Sequence, residues 1–80
     1  MNDVEKELLT KEIKVQRLRQ DKTQEECANL LNISVPTYRE LEYNPNKFEI
    51  DQVLKLGEFL NWNFFEFFLN NILQNAIKNK

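Results

Sequence analysis

Glycine at one position and proline at two, in a chain of 80 residues, leave almost no material for hairpin turns. Leu, Glu, Lys, Gln and Phe are abundant instead, so the expected fold class is all-α. With 30% charged and 41% apolar residues and a formal charge of −2, the chain reads as one small domain spanning residues 1–80. It has a single Cys and no His, which excludes an intrachain disulfide and any ordinary zinc, haem or histidine-assisted nucleophile site. No catalytic residue, metal or cofactor is expected, and no small-molecule substrate is evident. No apolar run approaches the roughly 18 to 20 residues of a membrane span. The opening MNDVEKELLTKEIK is too charged for a signal peptide, so a cytoplasmic chain without membrane contact is expected.

A first helix is expected from Asn2 or Asp3 to about Asp21, with Asn2 and Glu5 spaced as a capping box. Its register is open: Val4, Leu8, Val15 and Leu18 mark one face and Leu9 and Ile13 another, and residues 1–10 could form a separate segment. Thr23 and Glu26 form a clearer capping box, opening a short helix with Cys27, Ala28, Leu30 and Leu31. Asn32 suits the left-handed turn that ends it. Ser34 then caps a third helix with Pro36 in its first turn and Tyr38 and Leu41 on its inner face. Pro45 disfavours helix at Asn44 and stops it. A fourth helix spans about Ile50 to Leu60, with Gly57 expected to pack closely against another helix. A fifth starts at Asn61 or Asn63 and continues toward Ile77.

Residues Thr23 to Glu42, TQEECANLLNISVPTYRELE, thus read as a helix-turn-helix, placed here at 23–43. Ala28 is small where the helices cross, Ile33 plugs the core beneath the turn, and Cys27 occupies a core position as an inert thiol. Val35, Pro36, Thr37, Arg39, Glu40 and Tyr43 remain outward on the third helix, where an α-helix can meet the major groove.

The segments Thr23-Gln24-Glu25-Glu26-Cys27-Ala28, Leu31-Asn32-Ile33-Ser34, Leu41-Glu42 and Val53-Leu54-Lys55-Leu56-Gly57 resemble the Cro/CI phage-repressor (xenobiotic-response-element) family over residues 9–69. The stretch Thr37 to Pro45 resembles its subgroup from phages and mobile elements of Gram-positive bacteria. The resemblance implies a five-helix lambda-repressor-like DNA-binding domain with an extended C-terminal helix, acting as a small homodimeric transcription regulator on double-stranded DNA. It implies that Gln24 binds a phosphate and that Val35, Pro36 and Glu40 face bases. Thr37, Arg39, Tyr43, Asn44, Asn46 and Lys47 then lie where base or phosphate contacts occur. Glu42 pairs with an arginine of the first helix, Arg17 or else Arg19.

Charge argues the other way. Between residues 23 and 44 the only cation is Arg39, set against Glu25, Glu26, Glu40 and Glu42, whereas DNA binding normally rests on a basic patch. The alternative is a helix-turn-helix used as a protein-interaction module, such as an antirepressor or inhibitor. In the run Phe64-Phe65-Glu66-Phe67-Phe68, residues Phe64, Phe67 and Phe68, with Trp62, fall at family core positions. Phe65, Leu69, Ile72 and Ala76 form a stripe along the last helix and its extension, residues 69–80, and are the expected dimer interface.

Overall fold

The computed structural model describes residues 3–44 and 47–73. Among them are no strands and five α-helices: α1 (Asp3–Arg19), α2 (Gln24–Leu31), α3 (Val35–Tyr43), α4 (Ile50–Phe59) and α5 (Phe64–Phe67). A π-helical segment, Phe68–Leu73, continues α5. The chain is therefore all-α, and no described helix is long and apolar enough to cross a membrane.

Local chemistry accounts for the boundaries. Thr23 Oγ1 accepts from the Glu26 N–H at 3.0 Å while the Glu26 carboxylate accepts from the Thr23 N–H at 2.9 Å, closing the capping box of α2. Ser34 Oγ accepts from the Thr37 N–H at 3.2 Å to cap α3, and Pro36 sits in the first turn, where its missing N–H is not needed. Asn44 is extended (φ −113°, ψ 104°), the conformation that a following proline favours. The proposed Asn2 cap of α1 lies outside the described residues.

Three helices end in one way without glycine. Asp21, Asn32 and Asn61 are left-handed, with φ of 55°, 59° and 52°. The next N–H then reaches back five residues, from Lys22 to Arg17, Ile33 to Ala28 and Trp62 to Gly57, at 3.0, 3.0 and 2.8 Å. These are Schellman closures, which satisfy carbonyls that a helix end leaves unpaired. Asn61 therefore ends the α4 turn and does not start α5, whose cap is Asn63, accepting from the Glu66 N–H at 3.1 Å. Asp21 combines a left-handed backbone with a carboxylate at the negative end of the α1 dipole. Asp21→Gly should raise stability by about 1 kcal/mol, read as a higher urea midpoint at unchanged slope. A lowered midpoint would show that the Asp21 side chain holds the turn.

The core joins Leu9 and Ile13 of α1, Cys27 and Ala28 of α2, Tyr38 and Leu41 of α3, Val53 and Leu56 of α4, then Leu60 and Phe64. This settles the α1 register. Leu9 and Ile13 face inward, with Glu5, Thr10 and Arg17 also buried, while Val4, Leu8, Val15 and Leu18 are exposed. The helix is continuous from Asp3 through residue 10, so the described residues of this stretch belong to α1 and do not form a separate segment. Ile33 packs against the core beneath the α2–α3 turn, as expected. Gly57 packs closely too, against the turn into α5 and that helix's first residue: a Cβ there would lie 3.2 Å from the Trp62 carbonyl oxygen and 3.8 Å from Phe64 Cβ. Trp62 meets Phe64 and Phe67 edge-on, with ring centroids 5.7 and 5.6 Å apart. The expected single last helix is instead one α-turn followed by the π-helical segment, and its extension through Ile77 lies outside the described residues.

Candidate nucleic-acid interface

The α2 and α3 helices, joined by Asn32, Ile33 and Ser34, pack on each other, and α1 packs against α3. One buried ion pair fixes that arrangement. Arg17 Nε donates to Glu42 Oε2 at 2.7 Å and Arg17 Nη2 to Glu42 Oε1 at 3.2 Å, a bidentate contact between almost wholly buried side chains. Arg17 Nη1 also donates to the Lys22 carbonyl at 3.0 Å, so one guanidinium ties together α1, the α1–α2 turn and α3. Arg17 is thus the partner of Glu42, and Arg19 points to solvent. Burial alone would raise the Glu42 carboxyl, but hydrogen bonding from Arg17, the neighbouring Tyr38 hydroxyl and Gln24, with the Arg17 charge, outweighs it and holds the group below its ordinary value.

The same carboxylate organises the surface. Gln24 Nε2 donates to Glu42 Oε1 at 3.2 Å, and Gln24 Oε1 accepts from Arg39 Nε at 3.3 Å. A chain of contacts therefore runs from buried Arg17 through Glu42 and Gln24 to exposed Arg39. The fully buried Tyr38 hydroxyl lies beside Glu42 and Cys27 without a hydrogen bond of good geometry, and burial foremost, then the carboxylate, holds its proton on. Burial likewise raises the Cys27 thiol, the state of an unreactive core cysteine.

Around Gln24 and Arg39 lies an open groove of about 620 Å³ lined also by Lys14, Arg17, Lys22, Val35 and the α2 N-terminus at Thr23 and Glu25. The acidic balance of residues 23–44 is thus offset by cations that α1 and the α1–α2 turn deliver. Lys14 was not among the expected site residues. Its signal was present, because it precedes Arg17 by three residues and so shares that flank of α1. Lys22 lies 3.9 Å from Glu26 and 5.0 Å from the Phe59 ring centroid, a cation held over an aromatic face.

The expected contact residues divide. Pro36, Thr37, Arg39, Glu40 and Tyr43 are exposed along α3, and Lys47 is exposed beyond it. Val35 is half-buried, packing against the core while also lining the groove. The Thr37 hydroxyl accepts from Ser34 Oγ at 2.7 Å and belongs to the helix cap. Tyr43 borders a hollow shared with Lys14, Gln24, Arg39 and Glu42, and on its other side lies beside Glu7, Thr10 and Lys11 of α1. Asn44 is half-buried at the end of α3, and Asn46 lies outside the described residues. Of the expected dimer residues, Phe65 and Leu69 are exposed, as is Leu73, which the sequence reading did not include. The Ile72 side chain and Ala76 lie outside the described residues. No group of His, Cys, Asp and Glu among the described residues could hold a metal ion. Compared with known proteins, the chain matches no family profile, no curated protein and no solved structure.

Proposed function

We propose that this chain is a sequence-specific DNA-binding regulator of the small phage Cro/repressor type, with a lambda-repressor-like arrangement of α1 to α5. The observation that supports this reading best is the groove where the exposed face of α3 meets Lys14, Lys22, Arg39 and the N-terminus of α2. Helix N-terminal amides and flanking cations suit phosphates, while the exposed α3 side chains suit base edges. Glu42 and Arg17 hold the helices, and Gln24 with Arg39 forms the contact surface. Pro36 has no side-chain donor and suits a thymine methyl.

The acting species is a homodimer through Phe65 and Leu69, 69% and 49% exposed, since burying this stripe against a twofold mate removes apolar surface from water. Selection from random DNA at about 50 mM salt should enrich palindromic sites with half-sites about one helical turn apart. No enrichment from a dimeric sample would overturn the reading. It would favour the protein-interaction module instead, for which Glu25 in the groove and the exposed Glu40 on α3 argue.

Two substitutions separate the roles on α3. If Arg39 reads guanine, Arg39→Ala relaxes preference at one base pair by about 1 to 3 kcal/mol, whereas a phosphate contact weakens binding to all sequences alike. Glu40→Ala tightens binding to every sequence if the carboxylate only repels DNA, and weakens the selected site alone if it accepts from cytosine N4. Wild-type binding by both variants, in a filter or fluorescence-anisotropy assay, would show that α3 does not read the DNA.

A further inference from the structure

The outward face of α1 is more apolar than a lone surface helix requires. Val4, Leu8, Val15 and Leu18 are 62%, 40%, 42% and 59% exposed, yet three of the five residues that α1 buries are Glu5, Thr10 and Arg17. At 100° per residue, these four and Lys11 fall on one stripe, at i, i+4, i+7, i+11 and i+14, directly opposite the core face. That spacing averages 3.5 residues, the seam of two packed helices, with Lys11 its single polar position.

Charge specifies what covers it. Asp3 and Glu7 are exposed toward the N-terminal end of α1, and Lys14 and Arg19 toward the C-terminal end. Set antiparallel on a second copy and crossed at Lys11, α1 brings Val4 to Leu18 and Leu8 to Val15 of its mate. The same register brings Glu7 to Lys14 of the mate, twice by symmetry. A parallel pairing sets like charges against each other at both ends. We propose that α1 forms an antiparallel, isologous contact with a second copy of this chain, separate from the Phe65 and Leu69 stripe. Two such surfaces on one subunit link dimers into larger assemblies, with Lys14 common to this seam and to the groove.

The test isolates this contact in a Phe65→Glu/Leu69→Glu chain, followed by sedimentation across concentration. The chain should remain dimeric at about 100 μM, and adding Leu8→Glu/Val15→Glu should give a helical monomer of half the mass. Glu7→Lys or Lys14→Glu alone should weaken association about tenfold, and the two together should restore it. Lys11→Leu should tighten it, because two ammonium groups no longer meet at the crossing. The charge series is repeated in the wild-type chain, so the result stands if the starting variant fails to fold. A monomer throughout the concentration range, or a Glu7→Lys/Lys14→Glu chain no tighter than either single variant, overturns the proposal.

Discussion

Glu42→Ala should cost about 3 to 5 kcal/mol, because it leaves the Arg17 guanidinium buried without its counter-charge and frees Gln24 from its anchor. Replacing both partners should cost less than the sum of the single losses. In a double-mutant cycle the coupling should fall on Arg17 and be absent for exposed Arg19. A loss below about 1 kcal/mol, or coupling to Arg19, would show that the pair does not fix α1 against α3. The pair also sets an acid limit. The Glu42 carboxyl is held below its ordinary value in the folded chain, so its contribution is present above the unfolded glutamate value and is lost as pH falls through the lower, folded one. Wild-type denaturant midpoints should therefore drop between about pH 5 and pH 3 more steeply than those of Glu42→Gln, which has no proton to take up there.

That pair also shows where the sequence is informative. Capping signals act over three or four residues, so Thr23 with Glu26, Asn32, and Ser34 with Pro36 mark the α2–α3 unit without knowledge of anything else. Buried pairing acts over 25 positions, and Arg17 could be set against Glu42 only through the family resemblance. The α1 register was illegible for a different reason. Two apolar stripes compete on that helix, and the richer one, Val4 to Leu18, faces water while the core takes Leu9 and Ile13 beside polar side chains. A pattern rule assigns the larger stripe to the inside. The face that turns inward instead is the one that carries Arg17 to its buried partner Glu42. Asp21 and Asn61 carry the same local signal as Asn32, a helix-capping residue two positions on: Thr23 and Asn63, where Asn32 has Ser34. The groove's charge was misjudged because Lys14 lies outside the α2–α3 segment and reaches it only through the packing of α1.

Phe65→Glu with Leu69→Glu should reduce DNA affinity about a hundredfold or more while leaving the helices intact. Both side chains are exposed, so their loss takes little from the core, whose nearest members are Phe64 and the partly buried Phe67 and Phe68. Each carboxylate instead enters a twofold seam where it meets its own symmetry copy without a counter-ion. On the proposed reading the α3 helices of a pair bind adjacent half-sites as one unit, and separating them would forfeit the effective concentration that makes the second contact intramolecular, a factor of about 10² to 10⁴. Circular dichroism should report unchanged helix, sedimentation a smaller assembly, and anisotropy a weaker complex with the selected palindrome than with wild type. A single half-site should bind both proteins alike. Loss of helical signal would show instead that Phe65 and Leu69 belong to the core of a single chain. Undiminished binding to the palindrome by the smaller assembly would show that the stripe does not pair the α3 helices on DNA.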